Sequence, residues 1–187
     1  MMLFRALTAL VALPLLLFAA GLAHAEGTKS YSVDARSSTL KFTARSMVGS
    51  ASATMAFKGG TIVTGPTGQI LTAQIVVDAA SLSGSGLVHN QLAGRSGFDI
   101  ASHPEILFRA TEVTQRGSQI TIAGELTMRG VTQPSVFAGT ISGPNAGLIA
   151  LTMSAELDRT KWGLTAGRPL YSRKAKVAIQ LNAAGGA

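Results

Sequence analysis

From Gln119 to Met128 the chain reads Q-I-T-I-A-G-E-L-T-M. Ile120, Ile122, Leu126 and Met128 fall on one face, and Gln119, Thr121, Glu125 and Thr127 on the other. A period of two is the mark of a β-strand with one dry and one wet face, because successive side chains point to opposite sides of the pleat. At the centre of the dry face stands Gly124. A glycine inside a strand weakens it and marks a bend or a close approach by another group.

The same alternation recurs along the chain. Leu40, Phe42 and Ala44 alternate with Lys41, Thr43 and Arg45, and Ala51, Ala53, Met55 and Phe57 make a second dry face ahead of Gly59-Gly60. That glycine pair predicts a turn, since glycine tolerates positive φ, and Gly65-Pro66-Thr67-Gly68 predicts another. Leu71, Ala73, Ile75 and Val77 form the next dry face, ending at Asp78, and Ile106, Phe108 and Ala110 the one after it. In the segment after Pro134 the phase is ambiguous: either Val136 and Ala138 or Phe137 and Ile141 face inward. Ile149, Leu151, Met153, Ala155 and Leu157 are clean, as are Ala175, Val177, Ile179 and Leu181 in the last strand. The pattern predicts an all-β fold of about eight antiparallel strands, a closed barrel or a sandwich. Gly86 to Gly94, with Leu87, Val88, Gln91 and Leu92 on helical spacing, predicts a short helix over one end of the sheet. Asp158 to Leu164 predicts a tight irregular turn carrying Trp162, the only tryptophan.

Residues 1–25 read differently. Arg5 precedes a chargeless run from Ala6 to Ala23, and Ala23-His24-Ala25 is a small-x-small cleavage pattern. This predicts a secretory signal peptide, with residues 26–187 as the exported mature domain. The rival reading is an uncleaved anchor, since the run is long enough to span a bilayer; Pro14 and the Ala-His-Ala end favour cleavage. The chain has no cysteine, which excludes disulfides, thiolate metal sites and haem attachment.

Without Arg5 the 16 basic residues fall to 15 against 9 acidic ones, a net charge of +6. No acidic residue follows Asp158, whereas Arg159, Lys161, Arg168, Arg173, Lys174 and Lys176 all do. A basic region of this kind suits a solvated surface, transient contact with an anionic membrane, or a homodimer contact. Nucleic acid is disfavoured by the export signal and by the lack of interleaved aromatic residues.

Enzyme chemistry is poorly supplied. His89 has no acidic or histidine partner one helical turn away, and His103 precedes Pro104 at the start of a strand, so a metal site at either lacks ligands. No Gly-x-Ser-x-Gly elbow is present, and Leu82-Ser83-Gly84-Ser85-Gly86 lacks its strand-to-helix context. The acids stand singly except Glu156 and Asp158, which beside Arg159 predict a turn anchored by ion pairing. No catalytic residue, metal or cofactor is assigned, although a bound lipid is compatible with the pattern. A hydrolase or isomerase acting on an apolar substrate remains as a lesser alternative.

What remains is the inner face. Its small members, Ala44, Ala51, Ala53, Ala73, Ala110, Gly124, Ala155 and Ala175, leave two readings open: an apolar lumen with room for a ligand, or a packed core in which small residues oppose large ones. On the first reading the lumen is lined by Phe42, Met55, Phe57, Ile75, Val77, Phe98, Ile106, Phe108, Ile122, Gly124, Leu126, Met128, Leu151, Met153, Trp162, Val177 and Ile179. On the second the chain is a packed envelope interaction module.

Five segments in order resemble one family. Tyr31-Ser32-Val33-Asp34 with Ser37-Ser38 resembles the opening strand of the YceI-like proteins, and Leu82 with Leu92 to Phe98 resembles their helix and its approach to the next strand. His103-Pro104-Glu105-Ile106-Leu107-Phe108 resembles their Y-P-x-I-x-F segment, and Gly124-Glu125-Leu126-Thr127-Met128-Arg129-Gly130-Val131-Thr132 their most specific motif, G-x-L-T-I-R-G-V-T. Asp158-Arg159-Thr160-Lys161-Trp162-Gly163-Leu164 resembles N-R-x-D-F-G-L. The resemblance implies a lipocalin-like antiparallel barrel of the bacterial envelope, exported to the periplasm or secreted beyond it. Its implied ligand is a long-chain isoprenoid or similar apolar lipid held in the lumen for transport, storage or stress response. It implies no catalytic residue. The chain departs from the family at Ser46-Met47-Val48, where many members carry histidine, at His89-Asn90, where an acid is common, and at Lys161, where aspartate is frequent. These departures touch polar contacts to a head group and leave the apolar lumen intact. Both Arg129 and Arg159 are expected in structural roles, Arg129-Gly130 ending a strand and Arg159 crossing to a carboxylate.

Overall fold

A computed structural model describes residues 27–185, so the expected signal segment lies outside the described residues. The order is β1 (Lys29–Val33), β2 (Thr39–Ser46), β3 (Gly49–Thr64), β4 (Ile70–Gly84), α1 (Gly86–Ala93), β5 (Glu105–Arg116), β6 (Gln119–Met128), β7 (Val131–Asn145), β8 (Leu148–Asp158), a 3-10 turn (Arg159–Trp162) and β9 (Tyr171–Gly185). Strands β2 to β9 pair antiparallel with their chain neighbours, and β9 pairs back onto β2. This closes an up-and-down barrel of eight strands, which leaves those eight without a free edge. β1 pairs with the far ends of β3 and β9, collinear with β2, so the two short strands fill one slot in the wall.

The alternation of β6, β8 and β9 is read out in burial as the sequence predicts. The ambiguous phase in β7 resolves with Phe137 and Ile141 inside and Val136 outside. Two expectations are corrected. Gly59-Gly60 is not a turn: both residues sit inside β3 at φ 158° and 155°, where the register with β4 slips. The slip is a β-bulge, and it moves the inward positions from odd (Met55, Phe57) to even (Ile62, Thr64). Leu71 is exposed rather than inward, because a second irregularity at the start of β4 pairs Thr64 with Ile70 and turns Leu71 out. β4 also runs on past Asp78 to Gly84.

The two ends of the barrel differ. Where β1 lies, the joins are tight and the interior is filled: Tyr31, Ile62, Ile120, Ile149 and Ala183 are each no more than 2% exposed. At the other end sit α1, the segment 94–104, the 3-10 turn and the segment 163–170, which together form a cap. Arg129 and Gly130, both at positive φ, make the two-residue turn between β6 and β7 there.

Candidate functional site

Beneath the cap the barrel is hollow. Phe42, Ile75, Phe108, Val177 and Ile179 lie on inward faces yet remain only half-buried. A filled interior would bury them completely; an internal space leaves part of each uncovered. The cavity has a volume of about 170 Å³. A single water needs roughly 10–15 Å³ on the same measure, and an apolar cavity of about 150 Å³ takes up benzene, so the space admits a segment of an apolar chain.

The walls come from every strand of the closed barrel. Phe42 enters from β2; Met55, Phe57 and, beyond the bulge, Ile62 from β3; Ile75 and Val77 from β4; Ile106 and Phe108 from β5. Ile122, Leu126 and Met128 enter from β6, Leu151 and Met153 from β8, and Val177 and Ile179 from β9. Phe98 reaches in from the cap and meets Phe42 edge-on, ring centroids 5.3 Å apart. Phe108 and Phe137 meet likewise at 5.2 Å. These apolar walls offer a ligand dispersion contact and removal from water, with little orientation.

Two residues expected in the lumen do not line it. Gly124 faces inward, but the ring of Phe108 lies across it: a Cβ at this position would stand 2.6 Å from Phe108 Cζ and would run into the Arg109 carbonyl. The missing side chain admits a neighbour's ring and adds no room for a ligand. Trp162 is buried at 2% exposure in the floor of the cap, where its Nε1 donates to the Leu126 carbonyl at 2.9 Å. It fixes the 3-10 turn to β6 from behind the cavity wall.

The sequence missed other lining residues. Val88, Gln91 and Leu92 of α1, Leu164 and Ala166 of the cap, Tyr171 and Ile62 all contribute. Ile62 was hidden by the bulge, and the cap residues belong to segments without strand periodicity.

Among the described residues Arg159 is the one charged group on the cavity wall. It does not cross to a carboxylate, contrary to expectation. Its Nε donates to the Ser172 carbonyl at 2.9 Å, Nη1 to Leu164 and Ala166 at 3.0 and 2.8 Å, and Nη2 to Tyr171 at 3.2 Å. Burial pulls its pKa below the ordinary arginine value, nearby Arg168 adds to this, and Asp158 opposes it. The expected ion-paired trio is dispersed: Asp158 accepts from Thr160 N and Oγ1 and pairs with Arg173, while Glu156 pairs with Lys174 at 2.7 Å. Arg129 donates to the carbonyls of Gly163 and Arg95, at 2.8 Å for the latter, tying both cap segments to the β6–β7 turn. Both arginines therefore hold backbone. Among the described residues no group of three or more histidines and acids converges. His89 Nδ1 lies 3.1 Å from the Leu82 carbonyl.

A closed up-and-down barrel with an apolar interior hollow and one capped end defines a lipocalin-like class of protein. Within that class the YceI-like domain profile matches residues 31–184, and the chain belongs to the YceI-like family. No curated protein sequence matches it. Among solved structures it is similar to BcnA of Burkholderia cenocepacia, with 16% identity, TM-score 0.64, and coverage of 80% of this chain and 98% of that one. A polyisoprenoid-binding domain from Saccharophagus degradans, implicated in plant cell wall breakdown, gives 17% identity, TM-score 0.65, and coverage of 84% and 99%. The YCEI protein of Campylobacter jejuni gives 16%, 0.57, and 64% and 74%. At these identities the likeness is one of fold.

Proposed function

We propose that the chain is an exported, non-catalytic carrier that holds a long apolar chain, a polyisoprenoid or a lipid of similar shape, in the cavity beneath the cap. The observation that carries this reading is the apolar hollow itself, walled by every strand of the barrel. Membership of the YceI-like family, and a polyisoprenoid-binding domain among its structural neighbours, support it. The leader-like residues 1–25 support export to the periplasm, with carriage or storage of envelope lipid as the role.

Apolar burial is worth about 25 cal/mol per Å² and has no direction. Chain length and cross-section, rather than head-group chemistry, should therefore set affinity. The wall presents no nucleophile beside a base: its polar side chains are Gln91, Arg159 and Tyr171, and the arginine is committed to four carbonyls. Ligand pockets usually span about 300–1,000 Å³, so the hollow seats one segment of such a chain, and a packed interaction module is the second reading that the extraction below separates from it.

The test is extraction. Protein purified from the envelope without detergent is treated with organic solvent and the extract examined by mass spectrometry, after which the stripped protein is offered geranylgeraniol. Recovery of an apolar chain near one per protein, or stoichiometric uptake of the alcohol, is expected. An empty extract together with no uptake would sink the reading.

A further inference from the structure

The cavity reaches the surface at the capped end, where its lining residues Ala44, Ala51 and Tyr171 are half-buried and Gln91 is exposed. The side chains around this opening are unlike a solvated rim. Met47 and Val48, the tip of the β2–β3 hairpin, are 99% and 89% exposed; Leu87 of α1 is 81% and Leu170 of the cap 57% exposed. Single exposed apolar residues are ordinary; four at one rim of an apolar cavity form a patch. The register brings them together. Ser46 pairs with Gly49 and with Tyr171, so Leu170 stands next to the hairpin tip. Gln91, one turn along α1 from Leu87, lies beside Gly167 and Tyr171.

Cations flank the patch. Arg45 and Arg168 are exposed and, among the described residues, in no salt bridge; Arg173 is two-thirds exposed, 3.6 Å from Asp158. The chain from 159 onward, which supplies this side of the rim, has no acid; the acids that face these cations are Asp158, 3.6 Å from Arg173, and Glu156, which is paired with Lys174 and also feels Arg45.

We propose that this rim docks on an anionic lipid bilayer, with Met47, Val48, Leu87 and Leu170 entering the headgroup layer and Arg45, Arg168 and Arg173 pairing with lipid phosphates. The inference rests on the carrier reading and says where loading occurs. Apolar side chains ringed by arginines match an interface that is anionic outside and hydrocarbon within. A lipid that passes from bilayer to cavity across such a contact never exposes its methylenes to water. A second copy is a poorer occupant, because a symmetric contact through this rim would set arginines against arginines.

Flotation with vesicles tests it, using purified protein whose N-terminus is fixed by mass spectrometry so that residues 1–25 do not contribute. On phosphatidylcholine vesicles with one-quarter phosphatidylglycerol the protein should float, less so as salt rises, and on pure phosphatidylcholine weakly. Met47→Asp with Val48→Asp, and separately Arg45→Glu with Arg168→Glu, should each weaken flotation at least about tenfold. All four side chains are exposed, so unchanged circular dichroism and melting temperature serve as the folding control. Geranylgeraniol uptake from ethanol, without vesicles, should be unchanged in both variants. Flotation equal to wild type in either variant overturns the docking proposal, as does a shift from dimer to monomer in ultracentrifugation with flotation unaffected. If wild-type protein floats as described but takes up no alcohol, the docking surface stands and the carrier reading falls.

Discussion

Gly124 shows how a residue's neighbours decide its meaning. In the sequence it is a gap on a dry face, and a gap predicts room. In the barrel Ala110 faces it across the β5–β6 ladder, and the Phe108 ring covers it. A ring laid over a strand glycine buries backbone and pins register, as in designed sheets where aromatic residues rescue edge glycines. Substitution therefore acts on stability. Gly124→Ala should destabilise the barrel by about 1–3 kcal/mol, because the new methyl meets the Arg109 carbonyl as well as the Phe108 ring. Urea unfolding measures this, and a midpoint equal to wild type would show that the wall gives way freely. Gly124→Phe, which a hollow behind the glycine would accommodate, should fail to fold for the same reason. Of the small inward residues, Ala44, Ala51, Ala73 and Ala175 line the cavity, whereas Ala53, Ala110, Gly124 and Ala155 do not.

At the scale of elements, the long clean strands were legible because each buries one face without interruption. β6, β8 and β9 keep one parity from end to end. The pattern misled where a bulge changed parity inside a strand, as at Gly59-Gly60, and where a slip at the strand's start turned Leu71 outward. Period-two reading assumes a fixed register, and nothing in residues 59 and 60 distinguishes a bulge from a turn. α1 was legible in outline from its spacing, but the cap was not. Its segments are held by side chain to backbone bonds whose partners lie far apart in sequence, such as Arg129 to Arg95 and Trp162 to Leu126. Arg159 is the centre of the cap. Removing its guanidinium leaves the carbonyls of Leu164, Ala166, Tyr171 and Ser172 without that donor. A charged hydrogen bond contributes about 1.5–3 kcal/mol, and a buried acceptor left unpaired costs about 1–3 kcal/mol, so Arg159→Met should destabilise by at least about 3 kcal/mol. Arg159→Lys should recover only part, since an ammonium lacks the planar fork. Hydrogen exchange should show the loss concentrated in 163–171, with β6 and β8 amides little changed. A uniform loss across the barrel would mean that Arg159 supports the fold as a whole rather than the cap.

For the molecule as a whole, the choice between a packed and a hollow core was posed wrongly by the sequence, because the barrel is both. The β1 end is filled by Tyr31, Ile120, Ile149 and Ala183, and the capped end is open inside. Alternation along a strand reports which side chains face inward; it does not report how far they reach across to one another. That division predicts that stability and binding separate along the barrel axis. Ile149 is 1% exposed, and Ile149→Ala should cost about 2–5 kcal/mol by loss of burial and a new void. Geranylgeraniol capacity should be unchanged, since Ile149 does not line the cavity. Ala51 lines the cavity near its opening and pairs with Ala44, another small lining residue. A phenylalanine there extends into existing space, so Ala51→Phe should change the urea midpoint little while cutting uptake severalfold. Loaded wild-type protein should also be more stable to unfolding than stripped protein, by RT ln(1 + [L]/Kd), and Ala51→Phe should lose most of that increment. Chemical unfolding of loaded and stripped samples of all three proteins tests the division. If Ile149→Ala lowers capacity as much as Ala51→Phe does, binding depends on the stability of the barrel rather than on the space beneath its cap.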